Sequence, residues 1–575
     1  MNFKTISNLL ERKKFHLLTI TSSVLFLLFT AFKTHLGAPE ASIYWYASNL
    51  YWTFWPGLLL SILSIILSIH CERKYLGLIS VLIPVFYLYA LPSLVHDMLP
   101  VFDIYHVIPQ VLSIVETSQW NMQMTAFPGS HIYQAVSVIT FDMHIFSYAR
   151  LFPTILAFSI VIFIYTMARR VSKTWAPIAP LVFLALNWYM EYHLARQPFT
   201  IMLWTAFWLA FFIFIDKKIY RVGITAALIL VAIVPSHPGM IIIVSFNMIA
   251  LTFVTLLSLR NKDEWNYLKP VIPILIAFGI VAFLFYRSVP PITEYMDSVY
   301  EEFWEGLEAS GLTISLGGPS ATSVQYQFVN DLRMFAGLLH SLLGFLGFIA
   351  LYKYSSKKAL FLGAWFLSIY LWLIYSFTQQ GFLIERAFLA SVIPASILTT
   401  ALLKHFNNKN FKFLKYFHNI HLKRISRFAI ILVITSLLIL VPITKNSIDA
   451  IETPSRSSYT AGIYAQNNFE ERIYVTDTHT GLFRYIESTG GDDYSTTYQF
   501  RSRGRTPRDQ PYGYRIPRTD TPLSPILFTD YFNNYIEIRY GNTTYTQDIQ
   551  LYEENISNDS AKIYHSGGSR IYVDI

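Results

Sequence analysis

The 575-residue chain has a single cysteine, Cys71, so it can form neither an internal disulfide nor a cysteine-rich metal site. Any domain outside the membrane must fold without covalent staples. Charge is also scarce. Asp, Glu, Lys and Arg make up 14% of the residues against 53% hydrophobic ones, a balance that no water-soluble core of this length explains. The signatures of soluble enzymes are missing as well: there is no phosphate-binding Walker loop, no dinucleotide Gly fingerprint after a strand, no nucleophile-elbow serine and no His-Glu-x-x-His zinc helix. These absences argue against a nucleotide-driven pump and against a soluble hydrolase. No internal repeat, coiled-coil heptad or low-complexity tract is visible.

What is present is a series of apolar runs long enough to cross about 30 Å of hydrocarbon. They lie near residues 15–32, 52–70, 75–95, 150–168, 175–190, 199–215, 221–235, 239–258, 269–286, 332–352, 359–377, 388–404 and 428–445, about thirteen spans. The first run follows Arg12, Lys13 and Lys14 but has no convincing cleavage site, so it reads as a retained helix. The fold class expected is an α-helical polytopic membrane protein with a soluble β-containing domain at its C-terminus.

The net charge of +8 is carried by short basic clusters between the apolar runs, which orient membrane helices, and nucleic acid is not a partner it implies. With a cytoplasmic N-terminus, Cys71–Lys74, Arg169-Arg170, Lys217-Lys218, Arg260–Lys269, Lys353–Lys358 and Lys404–Arg427 all face inward. Residues 96–149 and 287–331 are then external loops. An odd number of spans places the C-terminus outside. Residues 128–146 are apolar but contain His131, Gln134, Asp142 and His144. Counting them as a span would reverse every later basic loop, so they are expected to form a helix lying at the membrane surface.

Residues 1–445 thus form the membrane domain and 446–575 an external one. Alternating runs such as Arg472-Ile473-Tyr474-Val475, Tyr535-Ile536-Glu537-Ile538 and Arg570-Ile571-Tyr572-Val573 predict strands in the latter. The Arg-, Pro- and Gly-rich stretch Arg501–Arg518 reads as an exposed loop, and sequons begin at Asn542, Asn555 and Asn558.

Ionisable residues at the outer ends of the spans are the functional candidates, because charge beside lipid is expensive unless paired or solvated. The loop after the third span holds His96, Asp97, Asp103, Tyr105 and His106. A carboxylate at a membrane mouth can deprotonate an acceptor hydroxyl or amine, and Asp103 also stands where a capping Asp would precede a helix beginning at Ile104.

This pattern resembles the first external loop of GT-C-type glycosyltransferases, which use polyprenyl-phosphate-linked sugars and include oligosaccharyltransferases, protein O-mannosyltransferases and aminoarabinose transferases. Asp103-Ile-Tyr105-His106 resembles the family's catalytic Asp region. Ala126-Phe127-Pro128-Gly129-Ser130 is similar to its Tyr-Pro-Pro-Leu segment with one proline lost. Ala149-Arg150-Leu151-Phe152-Pro153 and Ala168-Arg169-Arg170 resemble its Arg-Leu-Pro helix ending in Ala-Arg-Arg. A second external acidic position resembles Glu191, followed by Arg196. The chain departs from the family in carrying two extra spans before this loop and in lacking Trp-Trp-Asp-Tyr-Gly, which speaks against en bloc glycan transfer to Asn.

The resemblance implies Asp103, Asp97 and Glu191 as catalytic residues. Tyr105, His106, Arg196, His237, Glu385 and Arg386 would bind substrate, Arg386 gripping phosphate oxygens with its planar guanidinium. The bland alternatives are an Arg386–Glu385 ion pair or lipid-headgroup contact, and a His237 that simply faces water from its loop. A polyprenyl-phosphate-linked sugar and membrane lipid are the implied partners. No metal ligand set is evident, and Mg2+ or Mn2+ is the cofactor such carboxylates would hold if they hold one. A transporter or flippase for a lipid-linked glycan is a competing reading, weakened by spans nearly free of midplane charge. A non-catalytic envelope assembly protein is another.

Overall fold

The computed structural model describes residues 3–36, 42, 44–71, 74–99, 104–120, 127–188, 194–290, 293, 324–378, 384–407, 420–443, 456–468, 473–475, 500–502, 526–528, 560–566 and 569–574. Its helices are α1 (Phe3–Lys33), α2 (Trp45–Asn49), α3 (Phe54–Cys71), α4 (Lys74–Val85), α5 (Leu91–Val95), α6 (Ile104–Thr117), α7 (Gly129–Thr140), α8 (Ile145–Val171), α9 (Ile178–Leu186) and α10 (Arg196–Lys217). They continue as α11 (Tyr220–Ile233), α12 (Pro238–Leu257), α13 (Lys262–Leu268), α14 (Val271–Ser288), α15 (Val324–Tyr354), α16 (Ser356–Thr378), α17 (Ile384–Asn407), α18 (Ile420–Ile443) and α19 (Arg456–Asn468).

Among the described residues, eight helices are long and apolar enough to cross a membrane, and all eight coincide with expected spans. The other five expected spans also fall on helices: α3, α9, α11, α16 and α18. Of these, α9 has only nine residues, about 14 Å at 1.5 Å per residue, and all nine are buried. It is a short apolar plug inside the bundle, where residues 175–190 were expected to cross. The chain is a multi-pass helical membrane protein. At its centre stands α17, whose apolar stretch is 94% buried; α14, at 22%, lies on the periphery, where its apolar surface faces lipid.

Small residues set how closely the helices approach. Along α15, Gly337, Gly344 and Gly347 face α17 and its neighbours; a Cβ at Gly344 would stand 2.6 Å from the Phe366 ring, and one at Gly347 would fall on the Leu398 carbonyl. One polar tie fastens the same pair of helices. His340 Nδ1–H donates to the Ala336 carbonyl at 2.9 Å, which leaves Nε2 to accept from the Ser391 hydroxyl at 2.6 Å.

Basic clusters from distant parts of the sequence meet at one end of the bundle. Arg170 pairs with Asp216 at 2.9 Å, and Lys358 lies 3.7 Å from the other oxygen of the same carboxylate. Lys358 also donates to the Arg170 carbonyl and Lys404 to the Val171 carbonyl, while Arg427 sits over the Trp175 ring. The loops grouped together by charge thus share a face, as the alternation of spans requires. Because α8 and α10 both end here, their first residues, Arg150 and Arg196 among them, lie at the opposite end. Lys404 near the C-terminus of α17 likewise puts Glu385 and Arg386, in its first turn, at that opposite end.

The Arg150 end carries short helices. α7 has twelve residues, about 18 Å, too short to cross the hydrocarbon. The chain reverses just after it at Asp142, whose φ of 49° is a left-handed conformation that Asp tolerates, and α8 begins at Ile145. The loop expected over 287–331 ends sooner, because residues 324–331 are already the first turns of α15.

In the C-terminal segment, strands β1 (Ile473–Val475), β2 (Phe500–Ser502), β3 (Ile526–Phe528), β4 (Ser560–Ser566) and β5 (Ser569–Asp574) form one sheet of order β2-β1-β3-β5-β4. β1 is parallel to β2 and β3, whereas β5 runs antiparallel to β3 and β4. Two of the alternating runs, at 472–475 and 570–573, fall on β1 and β5; Tyr535–Ile538, the sequons, and all of Arg501–Arg518 except its first two residues lie outside the described residues.

Candidate functional site

At the end of α5 the chain turns outward and is fastened from three sides. Leu36, just past α1, pairs with it as a parallel bridge: the Leu36 amide donates to the Val95 carbonyl at 2.8 Å and the Asp97 amide to the Leu36 carbonyl at 3.3 Å. From α8, the Arg150 guanidinium donates to the carbonyls of Ser93 (3.0 Å), His96 (2.8 Å) and Asp97 (2.6 Å). These are carbonyls at a helix C-terminus, which have no partner within the helix and favour a cation. The Asp97 carboxylate in turn meets His35 Nε2 at 2.9 Å, with His35 largely exposed and Asp97 30% exposed. A solvent-reachable carboxylate is thereby held on an immobilised backbone.

His96 lies beneath this turn, buried between Trp45 and Tyr46, its ring stacked on that of Tyr46. Burial, reinforced by the charge of Arg150, pushes it down to about 3, so it is neutral at neutral pH. Further on, the Leu99 amide donates to the buried Tyr105 hydroxyl at 3.1 Å. That bond ties the chain after α5 to the first turn of α6.

The second cluster is built on α7. Gly129 begins this helix beneath the corner between α11 and α12: its amide donates to the Pro235 carbonyl at 2.9 Å, and a Cβ there would stand 2.7 Å from the Ser236 hydroxyl. Tyr133 packs against Phe199 near the start of α10, with ring centroids 4.6 Å apart. This brings together Phe127–Gln134, Arg196–Phe199 and Pro235–His237, three regions far apart in sequence. Burial first, then Arg196, pushes His131 down to about 3, and the Phe127 backbone opposes that shift. Arg196 occupies the first position of α10 and His237 the position before α12.

Of the sequence-predicted site residues, Asp97, Tyr105, Arg196 and His237 are therefore at the Arg150 end. Asp103 and Glu191 lie outside the described residues; the backbones of His106, Glu385 and Arg386 are described and stand at the same end, their side chains lying outside the description. Among the described residues no group of three His, Cys, Asp or Glu could hold a metal ion, and Asp97 offers one carboxylate beside His35. Sequence reasoning missed His35, whose role depends on α1 ending beside the loop, and Arg150 as a loop clamp, although the Arg150 motif itself was visible.

Two neutral buried histidines give the fold a pH dependence. Between about pH 3 and their unfolded value near 6.5, the unfolded chain binds protons that the folded chain refuses, so stability is full above 6.5 and falls as pH drops. Each contributes about 1.4 kcal/mol per pH unit in that window. Thermal melts in nanodiscs between pH 7 and pH 4 are expected to show this decline, and His131→Leu to make it shallower.

These features define a class: a multi-pass membrane protein that presents a carboxylate and a cluster of buried polar side chains at one end of its helical bundle. No family matches the chain, and no curated protein is similar to it. Among solved structures it is similar to the crystal structure of ArnT from Cupriavidus metallidurans bound to undecaprenyl phosphate, at 11% identity over 87% of this chain and 98% of that one, with a TM-score of 0.48. It is also similar to the apo state of the same protein, at 11% identity over 90% and 98%, with a TM-score of 0.45.

Proposed function

We propose that the chain is a membrane glycosyltransferase that transfers a sugar from a polyprenyl-phosphate donor to a glycan, lipid or protein acceptor at the external face. The observation that carries this reading is the placement of Asp97: its backbone is pinned by Arg150 and its carboxylate meets His35 at the bundle end away from the basic clusters. That end is external under the positive-inside rule, which also places the N-terminus in the cytoplasm and residues 446–575 outside as a soluble domain.

In the reaction, Asp103 takes the proton of the acceptor hydroxyl, the acceptor oxygen bonds to the anomeric carbon, and the carbon–oxygen bond to the lipid phosphate breaks. The phosphate leaves as an anion, and Arg196 and Arg386 are the cations at this end that can receive it. Asp97, paired with His35, and Glu191 are the other carboxylates assigned to the reaction. Asp97, Asp103 and Glu191 are the carboxylates that would hold Mg2+ or Mn2+ if the reaction uses one. Addition of EDTA tests that directly: unchanged transfer fits this scheme, and loss restored by Mg2+ or Mn2+ would require a cation between the carboxylates.

Asp103→Asn, in membranes where the variant is folded, is expected to lower transfer about 10²–10⁴-fold, the usual worth of a positioned base. Transfer at the wild-type rate would remove Asp103 from the mechanism.

A further inference from the structure

α7 is an amphipathic helix turned inside out. Its outward face is apolar, with Ile132, Tyr133, Val136, Ile139 and Phe141 exposed, while Ser130, His131 and Gln134 point inward and are completely buried. A helix at a membrane surface ordinarily gives its polar side to water. Here the apolar side is left for lipid and the polar side faces protein, so the polar groups were not placed there for solvation.

Among the described residues, five polar atoms of that inner face have no hydrogen-bond partner: Ser130 Oγ, His131 Nδ1 and Nε2, and Gln134 Nε2 and Oε1. The Phe127 backbone lies within electrostatic reach of the His131 ring but outside hydrogen-bond geometry. Leaving one buried polar group unsatisfied costs about 1–3 kcal/mol, and three such side chains at positions i, i+1 and i+4 line one strip of one helix. A set this concentrated is what a binding site shows before its ligand arrives.

The chemistry of the set selects the ligand. Gln134 offers a donor pair and an acceptor, the Ser130 hydroxyl offers both, and a neutral His131 offers one of each. A phosphate only accepts: it would be repelled by Gln134 Oε1 and would call for a protonated imidazole, which Arg196 opposes. Sugar hydroxyls each donate and accept, and so match all three residues.

We infer that the inner face of α7, through Ser130, His131 and Gln134, binds the hydroxyl groups of a neutral sugar ring. This rests on the proposed transfer reaction for its substrate class, and the ring could belong to the lipid donor or to a glycan acceptor.

The test uses the full chain in nanodiscs, with His131→Leu and Gln134→Leu compared with wild type. Three quantities are measured: affinity for polyprenyl monophosphate, affinity for polyprenyl-phosphate hexose, and KM for a glycan acceptor. Both variants are expected to melt at or above the wild-type temperature without ligand, which also shows that they fold. If the donor sugar is held, affinity for polyprenyl-phosphate hexose falls about 10–100-fold per variant, the worth of one or two lost hydrogen bonds, and affinity for polyprenyl monophosphate is unchanged. If the acceptor sugar is held, both lipid affinities stay and the acceptor KM rises by a similar factor. Equal loss for both lipids would overturn the inference in favour of a phosphate site. No change in any of the three would show that bound water alone satisfies these groups. Asp103→Asn separates the two readings: it should lose transfer yet retain sugar affinity, whereas a wild-type chain that binds the sugar but transfers nothing would refute the transferase reading alone.

Discussion

Arg150→Ala is expected to lower transfer by about 10²-fold or more while leaving the helical bundle assembled. The guanidinium donates to three carbonyls, those of Ser93, His96 and Asp97, across the exit of α5. Hydrogen bonds to a charged partner are each worth about 1.5–3 kcal/mol and do not simply add. Removing all three therefore frees this turn by roughly 3 kcal/mol or more, enough to displace Asp97 and the loop that follows. A misplacement of the order of 1 Å at reacting groups costs about 10²-fold in rate. The expected signature is a fall in kcat of that size or more with the affinity for polyprenyl monophosphate retained, together with faster amide exchange over residues 95–105. Arg150→Lys should recover only part of the loss, since an ammonium cannot fork across three acceptors as a planar guanidinium does. A wild-type kcat in Arg150→Ala would show that the clamp does not position the site.

The second large effect concerns assembly. Gly347→Ala is expected to prevent α15 and α17 from docking, because the added methyl would overlap the Leu398 carbonyl, a backbone atom with no rotamer through which to yield. Overpacking against movable side chains costs about 1–3 kcal/mol, and a clash with backbone of the buried central helix should reach the top of that range or exceed it. Yield and melting temperature of the purified variant measure it. Gly279→Ala is the matched control: none of the described residues lies within 4 Å of a Cβ there, so alanine should be neutral or stabilising by up to about 1 kcal/mol through helix propensity. Equal behaviour of the two variants would mean that the α15–α17 contact is looser than described.

Much of the architecture could be read directly. Every expected span holds a helix and eight of those helices are long enough to cross, because the hydrocarbon leaves an apolar backbone no alternative; residues 175–190 do not cross, since only nine of the described ones are helical. Grouping the loops by charge anticipated that Arg170, Lys358, Lys404 and Arg427 would share a face. The site was legible only in part. The carboxylates near the third span and Arg196 stood out as charges beside lipid, whereas His35 and Arg150 gained their roles from the convergence of α1, α5 and α8, which no local pattern records. Residues 128–146 show the boundary most clearly. The basic loops that follow argued against a crossing helix here, and nothing in the sequence argued for a helix with its polar side inward.

The sequence by itself determined that this chain is a polytopic membrane protein, where its helices lie and which loops share a side, since hydropathy and charge act through local composition and need no partner. Only the tertiary structure decided that Asp97 is held by His35 and Arg150, that α9 is a buried plug, and that Ser130, His131 and Gln134 face inward. Those facts depend on which surfaces meet, and a buried polar group shows itself as unpartnered only when everything packed around it is known.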